Sequence, residues 1–113
     1  MADLDFNTVG IFASDDDLHA KEVTLGGEKH VVYVRKLPAF ELRRYHEEST
    51  SEDIEVRLQA GFRILAKCIR REDGKAHMTL ESAKRLKPAP VREFMRVFVE
   101  VNAKPDPEES GND

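Results

Sequence analysis

The chain of 113 residues carries 18 basic and 22 acidic side chains, a net charge of −4, and 40% apolar residues. This composition is typical of one soluble globular domain, and the length leaves too little apolar surface for two cores. The single cysteine, Cys68, excludes an intrachain disulfide framework. No apolar run approaches the roughly 20 residues that span a bilayer, and the acidic N-terminus lacks the positive region of a signal peptide. We therefore expect a cytoplasmic protein.

Charge is distributed unevenly along the chain. Residues 1–22 carry a net charge of −5 and residues 104–113 carry −3, whereas the intervening segment carries +4. Because self-repelling acids disfavour compaction, we predict an acidic flexible arm over 1–19, a single globular domain over 20–102 and a disordered acidic tail over 103–113. Within the arm, Ile11-Phe12 either packs locally or contacts a partner.

The domain begins with a predicted β-hairpin. Residues 22–25 and 30–35 form the strands, and the turn over 26–29 contains two glycines that supply the positive φ angles of tight turns. The second strand carries apolar residues on both faces, Val31 and Tyr33 on one and Val32 and Val34 on the other. This pattern indicates burial on both sides, either within the chain or at an interface.

Four helices are predicted after the hairpin. The first runs over 38–48 from the proline that starts it, and Thr79 caps a short third helix. The second runs over 51–70, and its apolar positions fall within an arc of about 80°, which predicts the core-facing stripe. The stripe contains Ile54, Leu58, Phe62, Leu65 and Ile69.

The last predicted helix, 90–102, has an unusually wide apolar arc of roughly 200°, where one core needs little more than 100°. We infer a helix that is buried on two sides, inward and against another chain. β-Branched alternation over 97–101 also fits a strand, but the preceding proline and the period favour a helix. The candidate surface for self-association or partner binding contains Val91, Phe94, Met95, Val97, Phe98 and Val99.

No pattern typical of catalysis or metal binding stands out. The four histidines, at 19, 30, 46 and 77, lie on different segments, so none has a second histidine one helical turn away. Cys68 lies near the C-terminal end of a helix, where the dipole opposes a thiolate, and we expect a residue at the edge of the core. We predict no enzymatic activity, no metal and no cofactor.

Three stretches of the sequence carry a family resemblance. They are 23–27 leading into 32–37, the helix end and turn over 65–75, and the helix start over 78–83. In these stretches, and over about residues 20–102 as a whole, the chain resembles the tail assembly chaperones of long-tailed bacteriophages. The expected fold is α+β and mainly α, an N-terminal β-hairpin followed by three to four helices.

The resemblance implies a non-enzymatic, self-associating protein of the host cell cytoplasm. Such a protein binds the long tape measure protein, keeps it soluble and helps recruit tail tube subunits, and is absent from the mature virion. Many members are also made in a longer form by a ribosomal frameshift, and the C-terminal tail is a suitable place for such an extension to be attached.

Two other functions remain open at this point. The first is a structural tail or head–tail connector component that is retained in the virion. The second is a nucleic-acid-binding module that uses Arg35-Lys36, Arg43-Arg44 and the basic residues of 84–87. Since basic and acidic residues are mixed along 23–103, a solvated surface explains this charge better than a binding stripe.

Overall fold

The computed structural model describes residues 11–14 and 16–102. An N-terminal antiparallel hairpin and four helices make up an α+β fold that is about 49% helical and 21% strand, which confirms the predicted fold class. The elements are β1 (Leu18–Leu25), β2 (Glu28–Arg35), α1 (Ala39–Ser49), α2 (Ile54–Cys68), β3 (Ile69–Arg70), α3 (Leu80–Ala83) and α4 (Pro88–Asn102). None of the described helices is long and apolar enough to cross a membrane.

The hairpin is longer and its turn tighter than predicted. Gly26 and Gly27 form the whole turn with φ angles of 60° and 84°, values that suit the two central positions of a type I′ turn. The strands pair from Leu25 opposite Glu28 to Leu18 opposite Arg35. The last two residues of the predicted arm therefore belong to β1, while residues 1–10 and 15 and the predicted tail lie outside the described part of the chain.

One face of the hairpin forms the floor of the core. Val23 and Val34 are fully buried, as are Leu65 and Ile69 from the end of α2 and the start of β3. α4 lies against both β1 and β2 and also contacts α2. β3 extends the sheet in the order β1-β2-β3 through two residues, Ile69 opposite Val34 and Arg70 opposite Tyr33.

The predicted stripe on α2 is wrong over the first half of the helix. Ile54 and Leu58 are 58% and 61% exposed, whereas the buried residues all lie between positions 60 and 68. The ion pairs between α1 and α2, Glu48 with Arg63 and Glu41 with Lys67, also fall in the second half. α1, the sheet and α4 thus cover only the C-terminal half of α2.

The boundaries of α2 are also shorter than predicted. The side chain of Asp53 caps the first turn by accepting a hydrogen bond from the Glu55 N–H at 3.0 Å. At the other end, Ile69 leaves the helical conformation with φ −82° and ψ 116° and enters the sheet. The local residues permit a longer helix, but pairing with β2 ends it.

The caps of the other helices follow the sequence closely. Pro38 is the N-cap of α1, so the helix begins at Ala39, one residue after the predicted start. Thr79 caps α3 as predicted, and its side chain and that of Ser82 form a reciprocal capping box. Before α3, the turn over 71–75 uses Gly74 at φ 85°.

α4 is helical from Pro88 to Asn102, which confirms the helix rather than the strand over 97–101. Its wide apolar arc has a structural explanation within this chain. The helix contacts the hairpin and α2, so two sides of it are covered. The second covered side, which the sequence analysis assigned to another chain, therefore faces this chain's own elements.

Candidate interaction surfaces

The six residues of the predicted surface on α4 do not form one surface. Phe94, Val97 and Phe98 are at most 6% exposed and belong to the core. Val91 and Met95 are half-buried and pack against that core. Val99, at 41% exposure, is the one residue of the six that the structure places at the surface. Helical periodicity shows which positions are apolar but not which elements cover them, and here the chain covers most of them itself.

Two residues of the predicted set line a cleft between α1 and α4. The cleft has a volume of about 490 Å³ and contains Phe98 and Val99 from α4. Opposite them, the ring of Tyr45 meets that of Phe98 edge to face, with 5.5 Å between the centroids. We call this site the helix cleft; its lining is Leu42, Tyr45, His46, Ser49, Phe98, Val99 and Asn102.

The α1 side of the helix cleft was missed by the sequence analysis. Leu42, Tyr45 and Ser49 are spaced by three and four residues, so they lie on one face of α1. That spacing was available as a signal, but α1 contains no fully buried residue and its apolar face is narrow. Only the packing against Phe98 shows that this face lines a cleft.

A second apolar depression lies beside the hairpin. It measures about 420 Å³, and its walls come from the hairpin, β3, residues 77–86 and α4. Phe94 from the predicted set lies in its lining, and Val31 at its rim is 58% exposed. We call it the hairpin groove; its lining is Leu25, His30, Val31, Val32, Ile69, His77, Met78, Ser82, Leu86 and Phe94.

The histidines of the hairpin groove do not form a metal site. Partial burial and then the charge of Arg71 lower the pKa of His77, so the ring is neutral at physiological pH. Across residues 11–14 and 16–102, no group of three or more His, Cys, Asp and Glu side chains is arranged to hold a metal ion. Most of the residues that line the groove are apolar.

Cys68 is deeper than the sequence analysis placed it. It is fully buried, and burial raises the pKa of its thiol to about 12, with smaller contributions from nearby charges. The thiolate is the nucleophilic form, and at neutral pH almost none of it is present at such a pKa. Cys68 is a packing residue of the core.

A charged network fastens α4 along the outer edge of β1. The Glu93 carboxylate accepts a hydrogen bond from the Thr24 N–H at 2.7 Å, and the Arg96 guanidinium donates to the Glu22 carbonyl at 2.9 Å. Arg96 also bonds Glu93 and Glu100 at 3.2 and 3.0 Å. The hydrogen bond from Arg96, and then the one from Thr24, lower the pKa of Glu93.

The basic residues that pointed to nucleic acid do not form one patch built on one element. Lys36 is only 7% exposed, and its ammonium donates to the Val101 carbonyl at 2.9 Å. Arg43 and Arg44 lie on α1, and the third basic cluster lies after α3. Since Lys36 is buried and hydrogen-bonded to Val101, it is not available to a phosphate. The structure adds no support for nucleic-acid binding.

Comparison of this chain with protein-family models, with curated proteins and with solved structures gives no match. The resemblance to tail assembly chaperones therefore stays a prediction from the sequence motifs.

Proposed function

We propose that this protein is a phage tail assembly chaperone that binds the tape measure protein and keeps it soluble. It helps recruit tail tube subunits, acts as an oligomer in the host cell cytoplasm and leaves before the virion is complete. It performs no catalysis and needs no cofactor. The resemblance over residues 20–102 suggests this role, and the structural observation that carries it is the helix cleft.

The helix cleft suits an apolar helix as its ligand. A tape measure protein presents apolar stripes along a long helix, and such stripes aggregate when they have no partner. A helix lays apolar side chains three and four residues apart into a groove of this kind. Phe98 supplies a buried aromatic wall of the cleft, and Val99 lies exposed at its rim.

The net negative charge of the chain supports the same role, because it bears on the solubility of a complex of many copies. The net charge of −4 includes the strongly acidic residues 1–22 and 104–113, and like charges keep proteins dispersed. Many copies bound along a tape measure protein would therefore repel neighbouring complexes and prevent their aggregation.

The test is co-expression with the tape measure protein of the same phage. We expect the tape measure protein to become soluble and to carry this chain with it at high copy number. Val99→Glu places a charge at the rim of the helix cleft and should reduce co-purification at least about tenfold, because an unpaired charge is costly in an apolar contact. Leu58→Glu, at an exposed apolar position outside the cleft, is the matched control and should bind normally.

Two results would contradict the proposal. If the tape measure protein stays insoluble and this chain stays alone, chaperone activity is excluded, and a structural tail or head–tail connector component becomes the better explanation. Mass spectrometry of purified particles then measures whether the chain is retained at a defined copy number. If Leu58→Glu abolishes binding and Val99→Glu does not, the helix cleft is the wrong surface.

A further inference from the structure

The two edges of the hairpin differ in how they are covered. Along β1, α4 bonds the edge at the Thr24 N–H, through Glu93, and at the Glu22 carbonyl, through Arg96. Along β2, pairing with β3 covers only Tyr33 and Val34. Within the described residues, no strand pairs with 28–32 on that side, and no side chain hydrogen-bonds the main chain of Lys29 or Val31. An uncovered edge of this kind is a template for another strand.

The register shows which main-chain groups are left open. In a two-residue hairpin, the residues that flank the turn exchange hydrogen bonds, and bonded and non-bonded pairs then alternate along the ladder. Leu25 and Glu28 are that flanking pair, and the alternation continues to the bond from the Lys36 N–H to the Asp17 carbonyl at 3.0 Å. The peptide groups of Lys29 and Val31 therefore point away from β1.

The side chains at this edge do not screen it. Edge strands are often protected by a lysine that projects past them, but Lys29 turns back toward β1 and pairs with Glu22 at 3.7 Å. Val31 is 58% exposed beside the hairpin groove. The sequence places apolar residues on both faces of β2, and the chain itself buries only the Val32 and Val34 face. Val31 is thus an apolar residue at an open edge.

We propose that two copies of this chain associate by pairing their β2 edges antiparallel around a two-fold axis at His30. This arrangement joins the two three-stranded sheets into one continuous sheet. Lys29 of each copy lies opposite Val31 of the other, and both residues point their open peptide groups at the partner. The two pairs each exchange two hydrogen bonds.

The choice of a second copy rests on this self-complementary register. On the β2 edge, among the residues that the structure describes, Lys29 and Val31 offer the open peptide groups, and the axis at His30 pairs them with each other. An axis at Val31 would require Tyr33, which β3 already occupies. An axis at Lys29 would place two lysines directly opposite, which is destabilising.

Disulfide trapping tests the register. With the proposed axis, His30 of one copy lies opposite His30 of the other as a non-hydrogen-bonded pair. The two Cα atoms are then about 4.5 Å apart, a separation that a disulfide can bridge. His30→Cys should therefore form a covalent dimer under mild oxidation. Lys29→Cys is the control, because its Cα atoms would lie roughly 8 Å apart, too far for a disulfide. Cys68 does not compete, since it is fully buried.

A second variant tests the open peptide group directly. Val31→Pro removes an N–H that makes no hydrogen bond to β1, and edge strands tolerate proline at such positions. Val31→Thr keeps that N–H. We expect a concentration-dependent dimer for the wild type in sedimentation equilibrium and a dimer Kd at least about tenfold weaker for Val31→Pro. Val31→Thr should dimerise like the wild type, and circular dichroism should show the same fold in all three proteins.

The proposal is overturned if the wild type is monomeric throughout the concentration range, or if Val31→Pro folds and dimerises unchanged. It is also overturned if His30→Cys cross-links no faster than Lys29→Cys, a result that decides the matter even if Val31→Pro fails to fold. The proposal does not rest on the proposed function. A monomeric wild type would also contradict the oligomer of the proposed function. Val99→Glu, which tests tape measure binding, should leave the His30→Cys cross-link intact, so failure of the helix cleft and failure of the β2 pairing are distinguishable.

Discussion

Asn102 joins the end of α4 to the end of β2 and to the segment that follows it, through both polar atoms of its side-chain amide. Its Oδ1 accepts a hydrogen bond from the Leu37 N–H at 2.7 Å, and its Nδ2 donates to the Arg35 carbonyl at 3.0 Å. The side chain thus takes the place of a neighbouring strand for two main-chain groups. At 6% exposure, the site leaves little room for water to replace either bond.

We predict that Asn102→Ala lowers the free energy of unfolding by about 1–3 kcal/mol, because it leaves the Leu37 N–H without its acceptor. Urea denaturation followed by circular dichroism measures the change. Asn102→Asp keeps the acceptor but loses the donor to Arg35, so its effect should also be destabilising. An alanine variant as stable as the wild type would show that this amide does not hold α4 in place.

Val97 and Val99 lie two residues apart on α4 and have opposite environments. Val97 is fully buried and Val99 is 41% exposed. We predict that Val97→Asn destabilises the fold by about 2–4 kcal/mol, because it removes apolar burial and places an amide in the core. Val99→Asn should change stability by no more than about 0.5 kcal/mol, since valine and asparagine have similar helix propensities. Equal effects in urea denaturation would contradict the packing described for α4.

At the scale of elements, the contact between α4 and β1 depends on ionised carboxylates. Glu93 bonds Thr24 and Arg96, and Glu100 bonds Lys21 and Arg96. Partial burial opposes ionisation of Glu100, but the hydrogen bonds from Lys21 and Arg96 outweigh it and lower its pKa. The pKa of Glu93 is also below the ordinary value of 4.5. The folded state therefore binds protons at these groups more weakly than the unfolded chain.

A carboxylate whose folded pKa is lowered stabilises the protein above its unfolded pKa, and this stability is lost as pH falls through the folded pKa. We therefore predict that the melting temperature decreases as the pH is lowered below about 4.5. Glu93→Gln keeps an oxygen acceptor for Thr24 but cannot ionise, so its melting temperature should be lower near pH 7 and depend less on acid. Glu81→Gln, at an exposed position of α3, is the matched control. If Glu93→Gln and wild type share one acid profile, the network contributes nothing to pH stability.

At the scale of the whole molecule, one core connects the hairpin to the helices. Residues from β1, β2, α2, β3 and α4 belong to a single buried cluster, and Cys68 lies within it. Its thiol has no access to solvent while this cluster is intact. Exposure of Cys68 is therefore a measure of the opening of the whole core rather than of one element.

We predict that a thiol reagent modifies Cys68 slowly at pH 8 and that urea accelerates modification together with the loss of circular dichroism signal. The folded thiol, with its pKa near 12, stays protonated, and only the unfolded chain offers an accessible thiolate. The Cys68→Ala variant, which has no thiol, gives the background signal of the reagent. Rapid modification in native buffer would show that the core opens locally near the end of α2.

Local sequence signals determined the hairpin turn and the helices of this protein, whereas β3 forms by pairing with β2 and has no local signal. Two glycines defined the hairpin turn, Pro38 and Thr79 marked helix starts, and the period of residues 90–102 predicted a helix rather than a strand. These features depend on φ angles, capping groups and spacing, which act between residues close in the chain. The tertiary structure decided which apolar faces are covered. It left Ile54 and Leu58 exposed, buried Val97, opened a cleft beside Val99 and left the β2 edge unpaired at Val31, because burial depends on contacts between residues far apart in the sequence.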